Sequence, residues 1–268
     1  MQTLILSLIV ALAIQIGALF GLFFIFGFLL SKLQEWTQQN YYSSIGWKGI
    51  LLTGWIGTPI HELSHLVFAW LFAHRIERIR LFAPNQETGE LGEIRHSYNP
   101  HNLYQRAGNF FIGAAPTIGG TAALALLAFF FIPNSSELFV PLSFNSASFQ
   151  NFALNTFSVF TKILTPTNFQ SKTFWIFLYL SFCVSCHMAP SKPDRRQMWG
   201  GFAWIITGLV LFNIFGLIFH YDSSKLIIDT SSHLSFLTAL FAYAILVSFC
   251  HYLLSLLFLS PFRRRKQG

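Results

Sequence analysis

The stretch Gly57-Thr58-Pro59-Ile60-His61-Glu62-Leu63-Ser64-His65 lies inside an apolar run from Gly49 to Phe72, which is long enough to cross a bilayer as a helix. Residues i and i+4 stand one above the other on a helix, so both imidazoles can reach one zinc ion. An ionisable residue near the bilayer centre costs about 2.5–3.5 kcal/mol on insertion scales, so three of them within five residues need a compensating partner. A divalent cation supplies one, and the stretch therefore predicts a metal site inside a membrane.

Glu62 adjoins the first histidine and completes a HExxH motif. In such a motif the carboxylate beside the metal acts as general base and later as general acid. We therefore expect His61 and His65 to be zinc ligands and Glu62 to be the catalytic residue. Pro59, near the middle of the run, is expected to break or kink the helix, with Thr58 capping the second segment.

The composition of the chain is that of a membrane protein. Of the 268 residues, 53% are hydrophobic and only 10% are charged, and the mean hydropathy is +0.53, which no water-soluble domain shows. Apolar runs predict an all-α polytopic membrane protein of about six transmembrane helices, near Leu4–Leu30, Gly49–Phe72, Phe110–Ile132, Phe174–His187, Phe202–Phe219 and Phe236–Leu259. The first run lacks a basic residue before its apolar part, so we interpret it as a permanent span and not as a signal peptide.

The distribution of Lys and Arg predicts the orientation, because these residues concentrate in cytoplasmic loops. With six spans, both termini share one side with the second and fourth loops, and that side carries Arg75, Arg78, Arg80, Arg95, Arg106, Lys192, Arg195, Arg196, Arg263, Arg264, Arg265 and Lys266. The other side carries only Lys32, Lys48, Lys162, Lys172 and Lys225. Both termini are therefore expected in the cytoplasm. The pI near 9.5 reflects this topology, and no basic face with interleaved aromatic residues indicates nucleic-acid binding.

The cytoplasmic loop from His74 to Ala107 predicts a β-hairpin. Two short strand-like segments, Ile79–Phe82 and Leu91–Arg95, flank the turn-rich stretch from Pro84 to Glu90. The unpaired edge of a hairpin can accept an extended peptide by strand addition, although a plain surface hairpin is the more common case.

A hydrolytic zinc site needs a third protein ligand and an open fourth position. Asp194 is the strongest candidate, because it is the only acidic residue near a span end on that side apart from the hairpin loop. It could meet His61 if residues 190–193 fold back inward. His187, at the end of the fourth run, is the rival ligand.

These residues together resemble the intramembrane zinc metalloproteases of the site-2 protease class. The resemblance rests on Gly57–His65 inside a span, on the hairpin, on Gly113-Ala114-Ala115-Pro116, and on Pro190-x-x-Pro193-Asp194 before Gly200-Gly201. It implies His61, His65 and Asp194 as zinc ligands and Glu62 as catalytic residue, although the aspartate of that family usually precedes glycine and Asp194 precedes Arg195. It covers Gly46–Gly201 and implies a single membrane domain, residues 1–268, with a metalloprotease core at 46–201 and accessory helices at 1–45 and 202–268.

The expected function is that of a zinc-dependent intramembrane endopeptidase. Its partners would be the lipid bilayer and membrane-protein substrates, cut in membrane-embedded or membrane-proximal segments. Two alternatives stay open, a divalent-metal transporter and a catalytically inactive pseudo-protease. A transporter needs polar groups along its whole path, whereas here the acidic and histidine residues lie mainly in the half of the spans expected to face the cytoplasm.

Overall fold

Helices make up most of the described chain. The computed structural model describes residues 2–133, 161–219 and 235–262, with the single residues 135, 138, 157, 158, 221 and 225. Helix α1 (Gln2–Ile16) continues through one π-helical turn (Gly17–Gly21) into α2 (Leu22–Ser44). The further elements, in chain order, are α3 (Lys48–Leu71), β1 (Arg75–Arg80), β2 (Glu93–Ser97), α4 (Leu103–Phe131), a single turn (Pro166–Phe169), α5 (Lys172–Ser185), α6 (Lys192–Ile218), α7 (Ser235–Leu259) and a 3-10 turn (Ser260–Phe262). The basic tail at 263–266 lies outside the described residues.

Among the described residues, four helical stretches are long and apolar enough to cross a membrane, as expected of an integral membrane protein. They are Leu8–Ser44, Leu103–Phe131, Lys192–Ile218 and Leu240–Leu259. Helix α5 is apolar but has only 14 residues, which span about 21 Å at 1.5 Å per residue. Helix α3 has 24 residues but carries the ionisable motif and is not among the four. The count of six spans and the orientation stay predictions.

The first helix extends well beyond its apolar run. Leu33, Thr37, Asn40 and Ser44 are buried at spacings of four, three and four residues, so the polar second half of α2 has a face that packs. Part of that face meets α7, where Asn40 Nδ2 donates to Ser255 Oγ at 2.8 Å. Lys32 therefore lies in a helix, and it lines one cleft together with Lys192 and Arg195. The charge count assigned Lys32 to the opposite side of the membrane from those two residues, and that assignment is wrong.

Helix α3 is continuous through Pro59, so the expected break is wrong, and the alternative of a kink stays a prediction. The Thr58 hydroxyl does not cap a second segment, because it is buried without a hydrogen-bond partner. A proline is tolerated in a membrane helix where neighbouring segments support the backbone. Here such support exists, because a Cβ on Gly57 would collide with the carbonyl oxygen of Cys183 and would lie 2.8 Å from His187 Cβ.

Helix α6 begins at Lys192, ten residues before the predicted run at Phe202. The cause is a capping box, in which Ser191 Oγ accepts from the Asp194 amide at 3.3 Å and Asp194 Oδ2 accepts from the Ser191 amide at 2.7 Å. Asp194 thus stands in the first turn of a helix. From that turn its carboxylate faces His61 and His65, as expected of the candidate third ligand.

The β-hairpin is confirmed, with its strands displaced from the predicted positions. Strands β1 and β2 pair antiparallel from Arg75 opposite Ser97 to Arg80 opposite Glu93, with an irregularity between Ile76 and Arg78. Pairing continues beyond Arg80, since the Ala83 amide donates to the Leu91 carbonyl at 2.7 Å. The hairpin joins the end of α3 to the beginning of α4 and so lies next to the HExxH motif.

Candidate metal centre

Three side chains from two distant parts of the chain converge to form a site that could hold a metal ion. His65 Nε2 lies 3.3 Å from His61 Nε2 and 3.3 Å from Asp194 Oδ1, and His61 Nε2 lies 3.7 Å from Asp194 Oδ2. Two ligand atoms on a tetrahedral zinc ion, with bonds of about 2.0–2.2 Å, are about 3.3–3.6 Å apart. The observed spacing is therefore that of a ligand set whose side chains need little movement to bind an ion.

Both histidines are oriented by backbone carbonyl groups. His61 Nδ1 lies 2.6 Å from the His187 carbonyl oxygen, and His65 Nδ1 lies 2.8 Å from the Ile112 carbonyl oxygen. A carbonyl can only accept, so each Nδ1 carries the proton and each Nε2 keeps its lone pair for a metal. Such outer hydrogen bonds are typical of metal-binding histidines.

Asp194 is held in place by the helix that it caps. Its side chain is 14% exposed, and its Oδ2 accepts from the Ser191 amide while both carboxylate oxygens face the histidines. The helix comes this close to α4 because residue 113 is glycine: a Cβ there would collide with the Asp194 carbonyl oxygen and lie 2.9 Å from Met198 Cβ. The carboxylate is therefore fixed by α6 and α4 before any ion binds.

Glu62 lies buried between the ligand group and the hairpin, with 8% of the residue exposed. The backbone amide of Ile94, in β2, faces its carboxylate. Gly92 packs against its stem so closely that a Cβ on that residue would lie 2.7 Å from Glu62 Cγ. The hairpin thus covers the carboxylate and fixes its position next to His61 and His65.

Sequence reasoning missed a chain of polar side chains that joins the hairpin to α6. His74 Nδ1 and His96 Nδ1 are 3.0 Å apart, and His96 Nε2 lies 3.3 Å from Gln197 Nε2, which donates to Asn109 Oδ1 at 2.9 Å. Burial lowers the pKa of both imidazoles, that of His96 to about 4, so the pair is neutral at pH 7. A signal existed in the spacing, because Gln197 follows Asp194 by three residues and so shares its helix face.

His187, the rival third ligand, lies outside the group of three. Its Nε2 lies 3.0 Å from Thr53 Oγ1. Its contribution to the site is the backbone carbonyl oxygen that contacts His61 Nδ1. The imidazole borders a cavity of about 20 Å³, room for one water molecule. Among the residues that line it are Gln34, Thr37, Gln38, Tyr41, Thr53, Cys186, His187, Ser248 and His251.

Comparisons of the chain with protein-family models, with curated proteins and with solved structures gave no match. Function is therefore inferred from the residues of the site and their geometry.

Proposed function

We propose that the protein is a zinc-dependent intramembrane endopeptidase that cleaves membrane-embedded or membrane-proximal segments of other membrane proteins. The observation that supports this proposal best is the convergence of His61, His65 and Asp194 with Glu62 buried beside them. Two imidazoles and one carboxylate at near-tetrahedral spacing suit zinc and leave a fourth position open. When bound, zinc would polarise the scissile carbonyl and lower the pKa of a water molecule.

Glu62 is the general base in this proposal. Its carboxylate takes a proton from the attacking water and later gives it to the leaving amine. The facing Ile94 amide and the stem contact with Gly92 hold the carboxylate in one place. His61 and His65 keep their Nε2 atoms toward the centre because the two backbone carbonyls hold the opposite ring nitrogens.

The hairpin supplies a place for substrate. Strand β2 lies against Glu62 through Ile94 and Gly92, so an extended peptide added along this strand would pass next to the general base. Adding a strand also satisfies the backbone groups of an unwound substrate segment, which a membrane does not solvate.

A divalent-metal transporter is the second candidate, and one observation favours it. Polar side chains continue beyond the group of three. His74, His96 and Gln197 form one set, and the polar residues that line the cavity next to His187 form the other. Ionisable and polar residues inside membrane proteins often mark an ion path. An inactive pseudo-protease would share the same geometry without turnover.

One comparison separates the three functions. Glu62→Gln keeps the shape of the side chain but removes the base, so zinc content should stay at about one per chain while cleavage of single-span membrane substrates falls by about 10² or more. Glu87→Gln, at an exposed position in the hairpin turn, is the matched control and should cleave like wild type. Cleavage that survives Glu62→Gln would refute the mechanism. Zinc flux into proteoliposomes without any cleavage would establish the transporter. Absence of both cleavage and zinc flux would establish the pseudo-protease.

We further propose that the C-terminus is cytoplasmic, as its basic residues indicate. Reporters fused before Met1 and after Gly268 would show the same side for the predicted six spans, and opposite sides for an odd number. An external C-terminal reporter would contradict the orientation.

A further inference from the structure

A cleft between α2 and the beginning of α6 combines an apolar wall with a cationic end. It has a volume of about 830 Å³. Phe24, Phe28 and Trp199 form the wall, and Phe28 and Trp199 are 62% and 55% exposed, so the wall opens to the surroundings of the protein. The cationic end is formed by Lys32, Lys192 and Arg195.

Both helices change from apolar to polar at this cleft. Helix α2 is apolar as far as Leu30 and continues with Ser31 and Lys32, whereas α6 is charged at 192–196 and apolar from Met198 onward. In a membrane helix such a change marks the boundary between hydrocarbon and headgroups, and tryptophan is enriched at that level. The cleft therefore crosses the boundary, with its wall in the hydrocarbon and its cations among the headgroups.

The cationic end carries net positive charge. Its one carboxylate, Glu35, pairs with Lys32 at 3.0 Å. Lys192 is exposed and makes no ion pair with any described residue. Arg195 donates through Nη1 to Ser31 Oγ at 3.4 Å and to the Pro190 carbonyl at 2.7 Å, which fixes its guanidinium. Its Nε and Nη2 make no hydrogen bond with any residue that the structure describes. A fixed guanidinium beside a lysine is a favourable partner for a phosphate group.

We propose that this cleft binds one anionic phospholipid. The phosphate lies against Arg195 and Lys192, and an acyl chain lies along Phe24, Phe28 and Trp199. A lipid of zwitterionic headgroup fits the same wall but leaves the net positive charge unbalanced, and a purely apolar helix from another protein leaves it unbalanced as well. The site does not depend on the proposed protease activity.

Native mass spectrometry of the full chain tests the proposal. The protein is released from nanodiscs of equimolar phosphatidylglycerol and phosphatidylcholine, and the retained lipids are counted. Wild type should retain one phosphatidylglycerol. Each basic residue near a membrane surface contributes about fivefold to the affinity for anionic lipid, so Lys32→Gln/Lys192→Gln should lower the ratio of retained phosphatidylglycerol to retained phosphatidylcholine by about 25-fold. Lys48→Gln, an exposed lysine outside the cleft, should retain lipid like wild type.

Equal retention of the two lipids by wild type, or undiminished phosphatidylglycerol in the double variant, overturns the proposal. So does displacement of the lipid by inorganic phosphate at millimolar concentration, which would indicate a simple phosphate site. A photoreactive phenylalanine at position 28 gives an independent readout that tolerates a poorly folded double variant. A phospholipid adduct at this position supports the site, whereas a protein adduct assigns the cleft to a partner helix and overturns it.

Discussion

Replacing Asp194 tests the metal centre most sharply, because this side chain has two roles that can be separated. The Asp194 carboxylate faces His61 and His65. It also accepts a hydrogen bond from the Ser191 amide at 2.7 Å, as part of the capping box of α6. Asp194→Asn keeps an oxygen that can accept this hydrogen bond but removes the negative charge. Asp194→Ala removes both the negative charge and the acceptor of this hydrogen bond. Ser191→Ala leaves the Asp194 carboxylate in place and removes only the Ser191 hydroxyl, which accepts from the Asp194 amide.

The expected magnitudes differ between zinc affinity and stability. Loss of a partner that only orients a ligand costs about 10–100-fold in metal affinity, so losing a ligand should cost more than about 100-fold in Asp194→Asn and Asp194→Ala alike. Loss of a cap costs about 1 kcal/mol, so Ser191→Ala and Asp194→Ala should be less stable without zinc, while Asp194→Asn should stay close to wild type. Zinc affinity is measured by chelator competition in detergent, and stability by the denaturant midpoint of the zinc-free protein.

Wild-type zinc affinity in Asp194→Asn would refute the assignment of Asp194 as a ligand. His187→Ala is the decisive companion. If zinc is lost in that variant and kept in Asp194→Asn, His187 is the third ligand and the observed group of three is not the binding state.

Three other predictions follow from the packing around the site. Acid should release the hairpin: the pKa of His74 and His96 is lowered in the docked state, so the free histidines bind more protons below about pH 6.5, and docking stability should fall from there toward pH 4. The protection factor of the Ile94 amide, which is the exchange rate of a free amide at the same pH divided by its own exchange rate, should fall in wild type and fall less after His96→Gln, with the exposed His101→Gln as control. Gly113→Ala should destabilise the protein by about 1–3 kcal/mol and weaken zinc binding, because its Cβ meets the Asp194 backbone. Gly208→Ala, with open space around it in α6, should instead stabilise the protein by about 0.5–1 kcal/mol, and equal midpoints for the two variants would contradict this packing. Gly92→Ala should reduce turnover while zinc stays bound, since its Cβ would press on Glu62 Cγ, and unchanged cleavage would show that the hairpin does not position the base.

The sequence predicted the helical membrane fold, the HExxH helix and the hairpin because each has a local signal in apolar run length, i and i+4 spacing or turn residues. Asp194 was also selected correctly as a neighbour of the histidines, from its charge and its place near a span end. The polar half of α2 was missed because its buried stripe, from Leu33 to Ser44, is a helix face of mixed polarity and not an apolar run. The early start of α6 was readable in Ser191-x-x-Asp194, which has the spacing of a capping box.

The backbone contacts to the two histidines of the motif could not be read from the sequence for a different reason. The groups that orient His61 and His65 are the carbonyl oxygens of His187 and Ile112, and every residue has a carbonyl. Which two carbonyls point at the imidazoles depends on how α3, α4 and the end of α5 pack. Only the folded arrangement therefore identifies them.

This use of main-chain oxygens has a consequence for how the gene can vary. Where a side-chain carboxylate orients a metal-binding histidine, one codon change at that position removes the contact. No codon change at 187 or 112 can delete a carbonyl oxygen, so substitutions there leave the contact intact if the backbone keeps its course. The contact is instead sensitive to substitution of residues whose small size lets the backbone segments pack closely, above all Gly57 and Gly113. In a saturation mutagenesis scan scored by zinc retention, we expect these two glycines to tolerate fewer replacements than His187 or Ile112.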